Sequence, residues 1–159
     1  MTKAVILCGG YGTRISEETH KIPKPMIKLD KSPILLHILS NYSKYKIKDF
    51  IICAGYKGDE IIKYFKKYQI KKNLYKINLS KLNLSKKKKH EELWNIQIIK
   101  TGLNTFTGGR IRRIKKYLEK EKYFHVTYGD GVSDINIEKL EKFFFKCKKN
   151  SILTAVKEP

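Results

Sequence analysis

The sequence predicts a Rossmann-like, three-layer α/β/α domain on a mostly parallel sheet. Three observations predict it. Short apolar runs of strand length alternate with longer amphipathic stretches of helical period, through five strands. Glycine-rich loops close several of those strands. And 159 residues, with no internal repeat and no linker, make one domain that buries about two thirds of its unfolded surface.

The elements run as follows. Ala4-Val5-Ile6-Leu7 is a buried strand closed by Gly9-Gly10-Tyr11-Gly12-Thr13-Arg14. Glu17, Glu18 and His20 belong to a polar loop. Pro23 and Pro25 then hold Lys24 in a restricted, extended backbone that aims its ammonium group. Ser32 reads as an N-cap with Pro33 at the first helical position. The helix behind it carries Leu35, Ile38, Leu39 and Tyr42 on one face, with His37 off that face and solvated. Phe50 to Ala54 is a second buried strand. Tyr56-Lys57-Gly58 is a strand-to-helix loop placed to line a site, and a helix from about Asp59 turns Ile61, Ile62, Phe65 and Tyr68 inward.

From Ile70 to Glu92 the periodicity dissolves into a Lys-rich excursion. Leu74, Ile77, Leu79, Leu82 and Leu84 within it call for something to pack on, a subunit neighbour among the options. Trp94 to Ile99 returns to strand alternation. A helix whose amino end lies at Thr107 to Arg110 turns Ile111, Ile114, Tyr117 and Leu118 inward. Tyr123 to Tyr128 is a strand ending in Gly129-Asp130-Gly131. Asn136 or Asp134 caps a last helix with Ile137, Leu140, Phe143, Phe144 and Cys147 inward, and Ile152 to Val156 is a final strand.

Composition narrows the function classes. Apolar residues at 41% are ordinary for a globular protein, whereas a net charge of +20 is not. Arginines are few and the lysines spread through a background rich in Ile, Asn and Tyr. That is the mark of a compositional bias, so solubility, rather than nucleic-acid binding, is the consequence expected. The block Lys86 to Lys89 reads as a solvated loop, with a nucleic-acid patch as the alternative. Cys8, Cys53 and Cys147 are odd in number and lack metal-ligand spacing, so they read as small buried hydrophobes in a reducing cytoplasm. No signal peptide or membrane-length apolar run is present.

Parallel strands with helices on both faces bring the loops at Gly9, Gly108 and Gly129 to one edge of the sheet, where open α/β folds bind ligands. A loop of bare N–H groups ending in a guanidinium suits a polyphosphate. Neither a Walker loop nor the dinucleotide fingerprint fits, since Ile15 stands where the latter needs glycine. Thr107 to Arg110 gathers free N–H groups and a hydroxyl at a helix start. Asp130, flanked by glycines, can present its carboxylate to Mg²⁺. A turn Asp bonded to its own backbone is the plain alternative, and Asp134 is a helix cap before it is a metal ligand.

Gly-Gly-Tyr-Gly-Thr-Arg followed by Pro-Lys-Pro-Met resembles the signature of the sugar-1-phosphate nucleotidyltransferases. With Gly-Tyr-Lys-Gly, Thr-Gly-Gly-Arg and Tyr-Gly-Asp-Gly, the order and rough spacing are similar to those of the glucose-1-phosphate cytidylyltransferases, over all of the chain but the Lys-rich stretch. The resemblance implies a nucleotide-diphospho-sugar transferase fold and a reaction. CTP and α-D-glucose 1-phosphate give CDP-glucose and pyrophosphate, for dideoxysugars of surface polysaccharide (O-antigen, lipopolysaccharide), in a cytoplasmic homo-oligomer. It implies that Leu7, Cys8, Gly9, Gly10, Tyr11, Gly12, Thr13 and Arg14 hold the triphosphate and base. Lys24 would reach a phosphate, Thr105, Thr107 and Arg110 would lie near the nucleotide, Gly129 near the ribose, and Asp130 would bind Mg²⁺. Arg14, Lys24 and Asp130 form the catalytic set.

Members of that family are longer, and the further part carries a second metal-binding Asp and the groups that hold the sugar phosphate. Residues 1–159 are therefore expected to be the nucleotide-binding part of a C-terminally truncated domain, with 70–92 as an excursion. The alternatives are a non-catalytic nucleotide-binding subunit, the same chemistry on another nucleotide or sugar phosphate, and a basic nucleic-acid binder.

Overall fold

The computed structural model describes residues 2–11 and 22–155. In chain order the elements are β1 (Lys3–Cys8), β2 (Lys28–Leu29), β3 (Ser32–Pro33), α1 (Ile34–Lys44), β4 (Asp49–Ala54), α2 (Gly58–Lys66), β5 (Gln69–Lys71), β6 (Leu74–Asn78), β7 (Glu91–Lys100), α3 (Thr107–Arg113), β8 (Phe124–Tyr128) and α4 (Ile137–Cys147). Short 3-10 turns lie at Lys24–Met26 and Lys115–Tyr117. β2 and β3 form a small antiparallel pair, and the other strands make one sheet in the order β5-β6-β7-β4-β1-β8. β7, β4, β1 and β8 run parallel, while β5, β6 and β7 pair antiparallel. This is the mostly parallel α/β architecture that the alternation of elements predicts.

β1 and β4 occupy the middle because they are apolar on both faces. Ala4, Ile6, Cys8, Phe50 and Ile52 join a core with α1, α2 and Trp94 on one side. Val5, Leu7, Ile51 and Cys53 meet Ile114 and Leu118, which follow α3, on the other. Period-two alternation along strands that are apolar after Lys3 and Asp49 produces this two-sided burial. Trp94 is fully buried against Phe50, with ring centroids 5.6 Å apart. Its indole N–H donates to Ser43 Oγ at 3.0 Å and Glu92 Oε2 at 3.1 Å, so the ring is buried without stranding its donor.

The Lys-rich stretch resolves into local pieces. β5 and β6 form an antiparallel hairpin, and residues 79–90 form a loop before β7. Leu79 is buried, and Leu82 and Leu84 pack against the chain's own core. The Leu82 carbonyl accepts from Ser32 Oγ. The apolar alternation there is thus satisfied within the chain, and Lys86 to Lys89 stay exposed.

Three expectations are corrected. Ser32 does not cap α1: it pairs in β3 and spends its hydroxyl on Leu82, so the helix starts after Pro33 without a side-chain cap. On α4 the Asn136 carboxamide does cap, accepting from Lys139 N at 3.0 Å, but Phe143 faces outward at 57% exposure. The helix meets Tyr123 and His125, at the start of edge strand β8, through Glu141 and Phe144, and that contact leaves Phe143 uncovered. Residues 151–155 form no strand, and Leu153 is 92% exposed; among the described residues the sheet ends at β8, and this run pairs with none of its strands. Val156 lies outside the described residues. Among the described residues no helix is long and apolar enough to cross a membrane.

Candidate functional site

The parallel strands β1, β4, β7 and β8 end on one side of the sheet, and a cleft of about 540 Å³ opens there. That volume lies within the range of small-molecule sites. Its walls come from segments far apart in sequence: Leu7 to Gly10 after β1, Lys24 and Pro25 from the 3-10 turn, Thr105 to Thr107 and Arg110 at the start of α3, and Tyr128 and Asp130 after β8. Leu7, Cys8, Gly9, Gly10, Lys24, Thr105, Thr107, Arg110 and Asp130 therefore meet around one space. Gly129 is buried just beneath it. Gly12, Thr13 and Arg14 lie outside the described residues.

Lys24 and Asp130 are brought together directly, with Nζ 2.6 Å from Oδ2. Proline on both sides of Lys24 makes this aim possible, and Pro25 sits at the second position of the 3-10 turn that Lys24 begins. On the other side, Gly129 N donates to the Leu7 carbonyl at 3.0 Å, which carries the β1–β8 ladder to the base of the loop. A Cβ on Gly129 would lie 2.4 Å from Cys8 Sγ and 2.9 Å from Pro25 Cγ. Only glycine lets the Asp130 turn pass so close beneath the first loop.

Burial raises the pKa of the Cys8 thiol, and neighbouring Cys53 and Asp130 add to the rise. Cys8 is thus a neutral packing group with little nucleophilic character. Burial likewise pushes Cys53 up to about 11. Cys147 is only partly buried.

Arg110 lines the cleft with its guanidinium turned into the protein. Its side chain is 5% exposed. Nη1 donates to Thr101 Oγ1 at 2.7 Å and to the Gly102 carbonyl at 2.8 Å. Nη2 donates to the carbonyls of Gly9 at 3.0 Å and Leu103 at 3.2 Å. Burial draws its pKa below the usual arginine value. Thr105 Oγ1 accepts from Arg113 Nη1 at 2.7 Å, and Thr107 Oγ1 is 3.3 Å from the Tyr128 hydroxyl.

Tyr11 stands beside the cleft without lining it. Its hydroxyl donates to Asn104 Oδ1 at 2.6 Å, and its ring lies 5.3 Å from that of Tyr56. The Tyr56 loop accordingly braces the first loop instead of lining the cleft. Three lining residues escape a reading of the sequence: Pro25, Tyr128 and Phe106, the last 90% exposed. Their signal was position alone, since Phe106 stands between two candidate threonines and Tyr128 directly before Gly129.

The donor set has a definite metal chemistry. Among the described residues no group of three or more His, Cys, Asp or Glu could hold a cation by itself. Asp130 is the one carboxylate among the described lining residues, beside a Gly loop and an ammonium. Such a set fits a hard cation that takes one carboxylate and completes its shell with phosphate oxygens and water, as Mg²⁺ does.

The family model described as nucleotidyl transferase matches residues 3–159. The chain is 43% identical over 157 residues to glucose-1-phosphate cytidylyltransferase of Salmonella typhimurium, covering 99% of this chain and 61% of that protein. HddC from Yersinia pseudotuberculosis, solved in complex with GMP-PN, superposes with a TM-score of 0.64 at 27% identity, over 91% of this chain and 54% of that one. A putative glucose-1-phosphate thymidylyltransferase from Bacillus anthracis shares the fold, with a TM-score of 0.68 at 15% identity, over 93% and 52%. The chain spans about three fifths of the length of the curated relative.

Proposed function

The chain belongs to the nucleotidyl transferase family, and from that premise we propose that it binds CTP and serves the transfer of its cytidylyl group to α-D-glucose 1-phosphate, giving CDP-glucose and pyrophosphate. The observation that carries most weight is the meeting of Lys24, Asp130 and the Gly9-Gly10 loop in one cleft. A polyphosphate needs those three things together: a fixed cation, backbone donors and a carboxylate for its metal.

In this reaction an oxygen of the sugar phosphate attacks the α-phosphorus in line and pyrophosphate leaves. No protein nucleophile is required, and the buried Cys8 thiol does not offer one. Positioning and charge neutralisation carry the catalysis. Lys24 offsets negative charge on the phosphates, a role that the family resemblance also gives to Arg14. Mg²⁺ held through Asp130 would supply further charge neutralisation on the phosphate oxygens. Thr105, Thr107 and Gly129 stand where base and ribose would be recognised. The reading carries with it a cytoplasmic, homo-oligomeric enzyme supplying nucleotide sugars for surface polysaccharide.

The test is calorimetric binding of CTP, GTP, UTP and dTTP with Mg²⁺, followed by pyrophosphate release from CTP with and without glucose 1-phosphate. Preference for CTP with sugar-dependent release is expected. Equal binding of the four nucleotides removes the CTP assignment, and no binding of any removes the whole reading.

A further inference from the structure

Arg110 is a buried cation in the cleft wall whose partners are carbonyls and a hydroxyl; among the described residues no carboxylate pairs with it. Its contacts tie strand ends together. Nη2 holds Gly9, just past β1, and Nη1 holds Thr101, just past β7. The Thr101 hydroxyl in turn donates to the Ala54 carbonyl, the last residue of β4, at 3.0 Å. One guanidinium therefore sets the relative position of three neighbouring strand ends.

The geometry points to Arg110 as a positioning residue that touches no phosphate and instead fixes the Gly9–Gly10 peptide so that its N–H faces outward to the ligand. This rests on the nucleotide reading of the cleft. The Gly9 carbonyl is held by Arg110 Nη2 and is approached by Tyr56 N at 3.4 Å. No cis peptide bond occurs among the described residues. In a trans peptide the carbonyl and the following N–H point in opposite directions, so the Gly10 N–H is turned away from the guanidinium. That N–H makes no hydrogen bond to a described residue, and the side-chain position of Gly10 faces open space.

Two further facts favour positioning over contact. Four of the five N–H groups that a guanidinium carries are already donated within the protein. A Cβ on Gly9 would lie 1.9 Å from Arg110 Cζ, so the loop and the guanidinium are fitted to each other. Between two glycines a peptide plane rotates with little steric resistance. Released from Arg110, it can present a carbonyl oxygen to the phosphates, which repels them.

The test uses the 159-residue chain with ¹⁵N-glycine labelling, and inorganic tripolyphosphate, CTP and cytidine as probes. In Arg110→Lys the Gly10 amide resonance is expected to move in the ligand-free protein. Affinity for tripolyphosphate and CTP should fall together, about tenfold, the loss of one charge-assisted hydrogen bond, while cytidine binding changes less. Gly9→Ala should give the same loss, and the double variant should be no worse than either single one, since both break one coupled unit.

Unmoved glycine amides with the same loss of affinity, or losses that add in the double variant, overturn the proposal and make Arg110 a direct contact. A lowered melting temperature with an unchanged ratio of tripolyphosphate to cytidine affinity overturns it in favour of a purely structural role. If the unmodified chain binds neither CTP nor tripolyphosphate, the nucleotide reading falls, and the ligand-free amide shift alone decides whether Arg110 sets the peptide. Should Arg110→Lys not fold, proton exchange at the unmodified guanidinium decides. Slow exchange without ligand supports a locked side chain, and fast exchange overturns it.

Discussion

Lys24 Nζ lies 2.6 Å from Asp130 Oδ2, across 106 positions of sequence. The two groups that the proposed reaction needs for phosphate and for metal thus neutralise each other in the ligand-free cleft. A triphosphate with its metal must part them, and each ligand relieves the competition that the other faces.

From this pairing, Lys24→Met is expected to weaken CTP binding yet strengthen binding of a divalent cation alone, because the ammonium no longer competes for the carboxylate. Manganese titration followed by electron paramagnetic resonance measures it. Asp130→Asn should abolish the metal dependence of CTP binding. Both side chains are partly exposed, so either change should move the melting temperature by less than roughly 4 °C. Weaker manganese binding in Lys24→Met sinks the competition.

Gly129→Ala is expected to lower CTP affinity by about tenfold or more and to lower the melting temperature, since the added methyl collides with Cys8 Sγ and Pro25 Cγ. Cys8→Ala introduced into Gly129→Ala should restore part of both losses by removing the nearer obstacle. Two substitutions whose effects simply add would show that crowding is not the cause.

Acid should unfold the protein partly through Glu92. Partial burial raises its pKa, but hydrogen bonds from Ser43 and Trp94, together with Lys48, outweigh that and hold it below the ordinary 4.5. A carboxyl depressed in the folded state stabilises above its unfolded value and loses that contribution as pH falls through the folded one. Trp94, the single tryptophan, donates to Glu92 and reports the change by fluorescence. Melting curves below about pH 4.5 should be flatter in Glu92→Gln than in the unmodified protein. Identical slopes would remove Glu92 from the acid response.

Replacing Lys86 to Lys89 by serine should leave CTP affinity within about twofold, since none of them lines the cleft and exposed charges are screened over about 8 Å at physiological salt. A larger change in CTP affinity, or loss of a strongly salt-dependent nucleic-acid affinity, would give this block a function that the solvated-loop reading denies it.

Much of this was legible in sequence for a simple reason. β1 and β4 are apolar at every position after their first residues, Lys3 and Asp49, and α1 and α2 are amphipathic, so period and length alone identify them. Glycines at strand ends, with a lysine between prolines, locate the cleft before any fold is known. What stayed hidden depends on neighbours. Ile152 to Ala155 has the composition of a strand but no partner, Ser32 has the chemistry of a cap but a better acceptor in Leu82, and Phe143 has the phase of a core residue on a helix at the sheet's edge. Arg110 is the plainest case: its motif gives its proximity to the cleft, and only the carbonyl of Gly9 reveals which way the guanidinium turns.

The ten residues of β7 separate the loop at 79–90 from the cleft loops that follow Lys100. At about 3.3 Å per residue, the strand holds the two roughly 33 Å apart. A dye attached at position 88 would stand at a useful separation for resonance energy transfer to a fluorescent nucleotide. The fold supplies its own molecular ruler, with an attachment point that lies off the cleft lining.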